Sequence, residues 1–375
     1  MRTIYEDAEK IFVELVEIDS PSLKEKKMAD HIRELFRGLG VALTEDQTAE
    51  VTGSDAGNLY GCVKGGKEGS SILLSAHMDT VMPAYGKKAV FGENGEVHSD
   101  GTTVLGADDL AGVTAIYEAV KYLKENQIAH YDIELLFTTG EEIYGKGAKA
   151  FDYRRLKAER AYVLDLSGRI GDAAYAAPSI LSFTACMEGK AAHAGFCPEE
   201  GANAIAAASR AIAVLRQGRI DEDTTANIGM ISGGKGINIV SPECVVRGEV
   251  RSLKHEKAVE FLREYREAFE KAAAESGVRL RWEESVDIRA YETGLDSKAV
   301  TAYRKATEKA GIEPRLVKTF GGSDENVYFQ YGIEGIVMAT SMNCVHSCQE
   351  YTNIHEIVSV TEILIHLLRG EDEGN

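Results

Sequence analysis

The sequence predicts a two-domain α/β protein: a mixed, largely parallel sheet covered by helices, interrupted by a small α+β module. Three observations carry this expectation. The chain has 375 residues, more than one ordinary hydrophobic core holds. The near-continuous apolar runs "SILLSA" (71–76), "IELLFT" (133–138), "AYVL" (161–164) and "EGIVMA" (334–339) suit strands covered on both faces. The middle of the chain reads in the order β-α-β-β-α-β, that of a ferredoxin-like module.

The elements follow in order. Ile4, Ala8, Ile11, Phe12 and Leu15 recur at helical spacing, and the pattern stops before Ser20-Pro21. Ser22 and Glu25 have the spacing of a capping box for a second helix. That helix would carry Met28, Ile32, Leu35, Phe36 and Leu39 on one face, with Gly40 placed to end it. Between the first two apolar runs, "LAGVTAIYEAVKYLKEN" reads as a helix, so strand, helix, strand, strand points to an α/β domain. In the middle, "ILSFTACMEG", "TANIGMISGG", "VVRGEVRSL" and "VRLRWEES" are strand-like. "GANAIAAASRAIAVLRQG" and "HEKAVEFLREYREAFEKAAAESG" are the two helices. The inserted module is placed at 179–287, and the first domain at 1–178 and 288–375.

Composition narrows the function classes. Hydrophobic residues make up 44% and charged residues 27%, a soluble globular profile. A formal net charge of −18 argues against nucleic acid or an anionic membrane as a partner. The opening "MRTIYEDAEKIFVELVEIDS" lacks the apolar core of a signal peptide, and no segment has the ~20 apolar residues that span a bilayer. Six cysteines in so long a chain are not a disulfide framework, so the cytoplasm is the expected location.

Charged side chains gather where the apolar runs end. In "SAHMDTV", His77 and Asp79 are two apart and would share a face beyond a strand. Glu141 and Glu142 follow "IELLFTTG", Asp165 ends "AYVLD", Asp108 and Asp109 open a helix, and His346 follows the last apolar run. Singly, each has an ordinary reading: a helix cap, a solvated loop, a turn. Together they fall at the carboxyl ends of the strands, where open α/β sheets bind ligands. Crowded carboxylates repel unless protonated or paired with metal. Two histidines and three carboxylates suit zinc, and also cobalt or manganese. Three carboxylates and a bridging hydroxide balance two divalent cations, which favours two metals over one.

The ordered set "SAHMDTV", "GTTVLGADDLAG", "TTGEEIYGKGAKAFD", "VLDLSGRIGDAAYAAPS", "KAAHAGFCPEEGANAI", "FGGSDENVYFQYGI" and "NCVHSCQE" resembles one family over about residues 1–360. It is similar to the co-catalytic di-zinc metallopeptidases that include aminoacylase, glutamate-releasing carboxypeptidases and peptidase T. Within them it resembles the peptidase T-like (tripeptide aminopeptidase-like) branch. The resemblance implies that His77 and Asp165 bind one zinc, Glu142 and His346 the other, with Asp108 bridging. It makes Glu141 the general base and Asp79 the residue that orients His77. The module becomes a lid through which members commonly dimerise. His193 of "AHAG" would stabilise the oxyanion in the partner's site. Asn238, Arg289 and Gly322 are implied substrate contacts, Arg289 for a peptide carboxylate. Leu110 stands where the branch often has lysine, and Cys344 and Cys348 are also departures; neither touches the metal set. The implied activity is release of the N-terminal residue from short peptides, especially tripeptides. The alternatives are an N-acyl-amino-acid deacylase or carboxypeptidase on the same metal core, or an inactive binding protein.

Overall fold

The computed structural model describes residues 2–370. They form two compact units, one of residues 2–176, 292–319 and 323–370, the other of residues 177–291 and 320–322.

The larger unit is built on a nine-stranded mixed sheet. Its path runs Leu43–Glu45, Leu59–Val63, Ile133–Thr138, Ile72–His77, Arg160–Leu166, Glu334–Ala339, Asp172–Ala177 and Tyr291–Glu292, with Arg315–Lys318 pairing beside Asp172–Ala177. The four apolar runs are its adjacent central strands, and all three pairings among them are parallel. Ile72–His77 and Ile133–Thr138 are buried at every position, which is why neither shows a polar alternation. Helices Arg2–Val16, Ala107–Glu125 and Ile354–Arg369 pack on one another, and Ala107–Glu125 packs on the strands Ile72–His77 and Arg160–Leu166. One continuous apolar core joins these layers, from Phe12 and Phe36 to Leu364 and Leu368.

The second helix, Lys26–Gly38, departs from the expected capping. Glu25 sits at its N-cap but its side chain makes no capping bond. The amide of Lys26 is served instead by Asp55 Oδ1 at 2.9 Å. Ser22 and Glu25 turn elsewhere, although their letters match a capping box.

The smaller unit has the strands Gly218–Arg219, Thr224–Gly233, Glu243–Ser252, Ser179–Glu188 and Arg279–Ile288, in that order and antiparallel throughout. Apart from the two-residue edge strand, the first strand in sequence lies between the third and fourth, the ferredoxin-like arrangement. Helices Ala204–Val214 and His255–Glu275 supply the other half of a separate core, with Phe183, Tyr265 and Phe269 at its centre. Phe320–Gly322 belongs to this unit: Arg219 lies over the Phe320 ring at 4.0 Å, and Arg251 donates to the Phe320 carbonyl at 2.9 Å.

Candidate metal centre

Five side chains from five separate stretches of the larger unit converge at the carboxyl ends of its central strands. His77 is the last residue of its strand and Asp165 lies near the end of the next. Asp108 opens the stretch Ala107–Glu125, where Asp108 and Asp109 are not yet helical. Glu142 follows Ile133–Thr138, and His346, with φ 60°, lies in the loop after Glu334–Ala339.

Asp108 divides its carboxylate between two imidazoles. Its Oδ1 lies 3.0 Å from His77 Nε2, and its Oδ2 3.3 Å from His346 Nε2. His346 Nε2 is also 3.0 Å from Glu142 Oε2. Ligand atoms of His77, Asp108 and Asp165 lie within 4.8 Å of one another, and so do those of Asp108, Glu142 and His346. Two triads sharing one aspartate therefore each have room for a cation. The donors, imidazole nitrogen and carboxylate oxygen, fit zinc, cobalt or manganese. Glu142 Oε1 is buried with no hydrogen-bond partner, as a ligand oxygen turned toward a cation would be.

The electrostatics agree. Burial pushes the Asp165 carboxyl well up, and the charges of Glu141 and Asp108 push it further. Burial likewise raises Glu141 and Glu142. Asp108 is held low against its burial by hydrogen bonds from His346 and His77. Its carboxylate hydrogen bonds drive His346 up to about 10. So many acids in one buried place ionise together only against cations.

The backbone around the cluster is gripped by buried side chains. Glu350, 1% exposed, accepts from the amides of Leu105 and Gly106 at 2.8 Å through Oε2, and from Asp108 at 3.0 Å through Oε1. Asp109 Oδ2 accepts the His77 amide at 3.2 Å, so the second aspartate of the pair secures the strand end carrying His77. Asp79 Oδ1 accepts the Glu141 amide at 2.9 Å and Oδ2 the Glu142 amide at 3.2 Å. His77 Nδ1 lies 2.8 Å from the Asp79 carbonyl and 3.6 Å from its carboxylate. Asp79 thus meets the His77 imidazole most closely through its carbonyl, while its carboxylate accepts the amides of the Glu141–Glu142 turn.

Comparison with known proteins decides the family. The chain matches the model described as peptidase dimerisation domain over residues 175–277, and that of peptidase family M28 over 58–195. It is 42% identical to an uncharacterised Bacillus subtilis (strain 168) protein, YqjE, over 95% of this chain and 96% of that one. A crystal structure of aminopeptidase PepT from Bacillus cereus superposes with a TM-score of 0.90 at 38% identity, covering 97% of this chain and 98% of the other. A Staphylococcus aureus tripeptidase superposes at 0.94 with 31% identity and the same coverage. The chain belongs to the M20 metallopeptidases, in their peptidase T-like branch.

This peptidase T-like chain is therefore a metal-dependent peptidase. Sequence reasoning singled out the acids and histidines that converge here but passed over Glu350, and Ser22 and Glu25 do not form the capping box that their spacing suggested. Glu350 closes the quoted motif "NCVHSCQE", four residues after His346, where an acid in a short polar stretch reads as solvated.

The remaining expected residues, His193, Asn238, Arg289 and Gly322, all lie in the smaller unit. His193 and Asn238 sit on facing loops: the Ala194 amide donates to the Asn238 carbonyl at 2.9 Å, and His193 pairs with Ile239. His193 is exposed, stacks on Phe196 at 4.3 Å, and accepts the Gly195 amide at Nδ1. Arg289 is exposed, with its charge felt by His255. A Cβ at Gly322 would lie 2.5 Å from Ile288 Cδ1, the end of a side chain that would have to shift to admit it.

Proposed function

We propose that this chain is a di-zinc aminopeptidase that releases the N-terminal residue from short peptides, tripeptides above all. The observation that carries the reading is Asp108, whose two oxygens face two different histidines. On it, His77 and Asp165 hold one ion, Glu142 and His346 the other, and Asp108 both. Two bound ions would polarise the scissile carbonyl and lower the pKa of the attacking water. Glu141 takes the water's proton and returns it to the leaving amine; burial raises its carboxyl above the ordinary range. Asp79 fixes the backbone on which Glu141 stands.

The smaller unit, matched by a dimerisation model, joins two copies in this reading. His193 donates from Nε2 to the developing oxyanion in the partner's site, and Asn238, Arg289 and Gly322 contact substrate. The protein works in the cytoplasm; among the described residues no helix is long and apolar enough to cross a membrane.

The test is a substrate panel on zinc-loaded and chelated protein. A tripeptide should be cleaved at its first bond and its N-acetylated form should not; chelation should abolish turnover and zinc or cobalt restore it. Cleavage of the acetylated substrate or of the C-terminal bond would replace the aminopeptidase reading with a deacylase or carboxypeptidase. No hydrolysis by the fully metallated protein would leave a binding protein.

A further inference from the structure

The turn carrying Glu141 and Glu142 is held in an unusual way. Four successive amides beyond the strand Ile133–Thr138 are each bonded to a side chain from elsewhere in the larger unit. Thr139 donates to Asn58 Oδ1 at 3.1 Å, and Gly140 to Glu25 Oε1 at 3.0 Å. Glu141 and Glu142 donate to the two oxygens of Asp79. Ser22 Oγ in turn donates to Asp79 Oδ2 at 2.7 Å. Ser22 and Glu25 therefore reach the same turn, one through Asp79 and one directly.

We propose that Ser22 and Glu25 form a clamp that sets the positions of Glu141 and Glu142, with Glu25 as the positioning residue. This rests on reading Glu141 as base and Glu142 as ligand. Three features of Glu25 support it. It is fully buried and every recorded bond is spent on structure near the turn: Oε1 also accepts the Leu23 amide at 2.8 Å, and Oε2 the Ser54 hydroxyl at 2.5 Å. It stands at a helix N-cap yet makes no capping bond there, so the helix does not account for it. Its burial, with the charge of Asp79 nearby, is unfavourable, and the bonds from Ser54 and the Leu23 amide offset that only in part, so its pKa stays raised. Leu23 adds to the cost, because it holds φ 71°, a left-handed conformation uncommon for a branched side chain. That turn lies between Ser22 and Glu25, both of which face inward.

The chemistry predicts an order of substitutions. Glu25→Gln keeps an oxygen for the Gly140 and Leu23 amides, and its new amide can donate to Ser54 Oγ. Glu25→Asp keeps the charge but is one carbon too short to reach Gly140. Positioning through geometry therefore predicts that Gln is tolerated and Asp is not, the reverse of what a role for the charge predicts.

The experiment measures kcat, KM and zinc affinity by chelator competition, with the absorption spectrum of the cobalt-loaded protein, for both variants and for Glu142→Gln. Thermal melting of each reports folding separately. Glu25→Gln should stay within about threefold of wild type. Glu25→Asp should lose about 10- to 100-fold in kcat or metal affinity, the usual cost of removing a group that supports a ligand, with an altered cobalt spectrum. A merely structural Glu25 would lower the melting temperature of the aspartate variant and leave kcat and the spectrum of the folded protein unchanged, which would overturn the clamp. Equal impairment of Gln and Asp would overturn it too. If Glu142→Gln itself leaves zinc affinity intact, the ligand reading has failed; if Glu142→Gln weakens zinc while Glu25→Asp keeps both its kcat and its zinc affinity, the clamp has failed and that reading stands.

Discussion

Glu141 and Glu142 are adjacent acids on one gripped turn, and the proposed mechanism gives them different work. Glu141→Gln keeps the shape and cannot accept a proton, so kcat should fall by about 10²–10⁴-fold while metal content stays near wild type. Glu142→Gln should instead shed metal, because its oxygen faces His346. Metal analysis beside steady-state kinetics checks both, and swapped phenotypes would reverse the two assignments. At this scale the sequence was legible where several charged letters ended buried runs together, as with His77, Asp165 and the acid pair at 141–142, each of which alone had an ordinary reading. It was misleading where one spelling serves two structures. Ser22 and Glu25 spell a capping box, but their partners, Asp79 and Gly140, lie 57 and 115 residues away. No local pattern encodes a bond of that span.

Among the elements, Ala107–Glu125 holds an acid that the site does not use. Glu118 is 2% exposed, its Oε1 lacks a hydrogen-bond partner, and Lys121 Nζ lies 3.8 Å away. Burial pushes its carboxyl up to about 7 against an ordinary 4.5; Lys121 pulls it down, while Asp7 and Glu125 add to the rise. A raised carboxyl binds its proton more tightly folded than unfolded. Its cost is therefore absent below pH 4.5, grows as pH rises to about 7, and is constant above. At ~1.4 kcal/mol for each pH unit of that interval, the ceiling is about 3 kcal/mol. Glu118→Gln should thus stabilise the protein at pH 8, by up to that amount, and have no such effect at pH 4.5; thermal melts at the two pH values check it. The elements themselves were readable because the central strands are largely buried runs, two of which the apolar letters delimit to the residue. The start of this helix was not, since Ala107 to Asp109 belongs to the site and follows its geometry instead of helix propensity.

For the whole molecule, the chain order of the smaller unit was legible from its six-element alternation, and the tripeptide Phe320–Gly322 that joins it from beyond was not. Contacts made only in the folded chain reveal that membership: Arg219 on the Phe320 ring, Arg251 on the Phe320 carbonyl and the close approach of Gly322 to Ile288. If two copies join and His193 serves its partner, two inactive variants should repair each other. Glu141→Gln and His193→Ala chains, mixed under conditions where subunit exchange is confirmed, would form heterodimers with one doubly damaged site and one intact. Partial activity should return. Continued inactivity would mean that His193 serves its own chain or none.

The turn from Thr139 to Glu142 also bears on motion. Loops ordinarily open to solvent on their own, and their amide protons exchange quickly. Here four consecutive amides are tied to Asn58, Glu25 and Asp79, all buried. Releasing any one exposes an acceptor with no water beside it, so the turn opens only when its surroundings open. Its amide protons should exchange with deuterium as slowly as those of the strand Ile133–Thr138 before it. The stretch of backbone that carries Glu141 and Glu142 is in that sense an extension of the sheet.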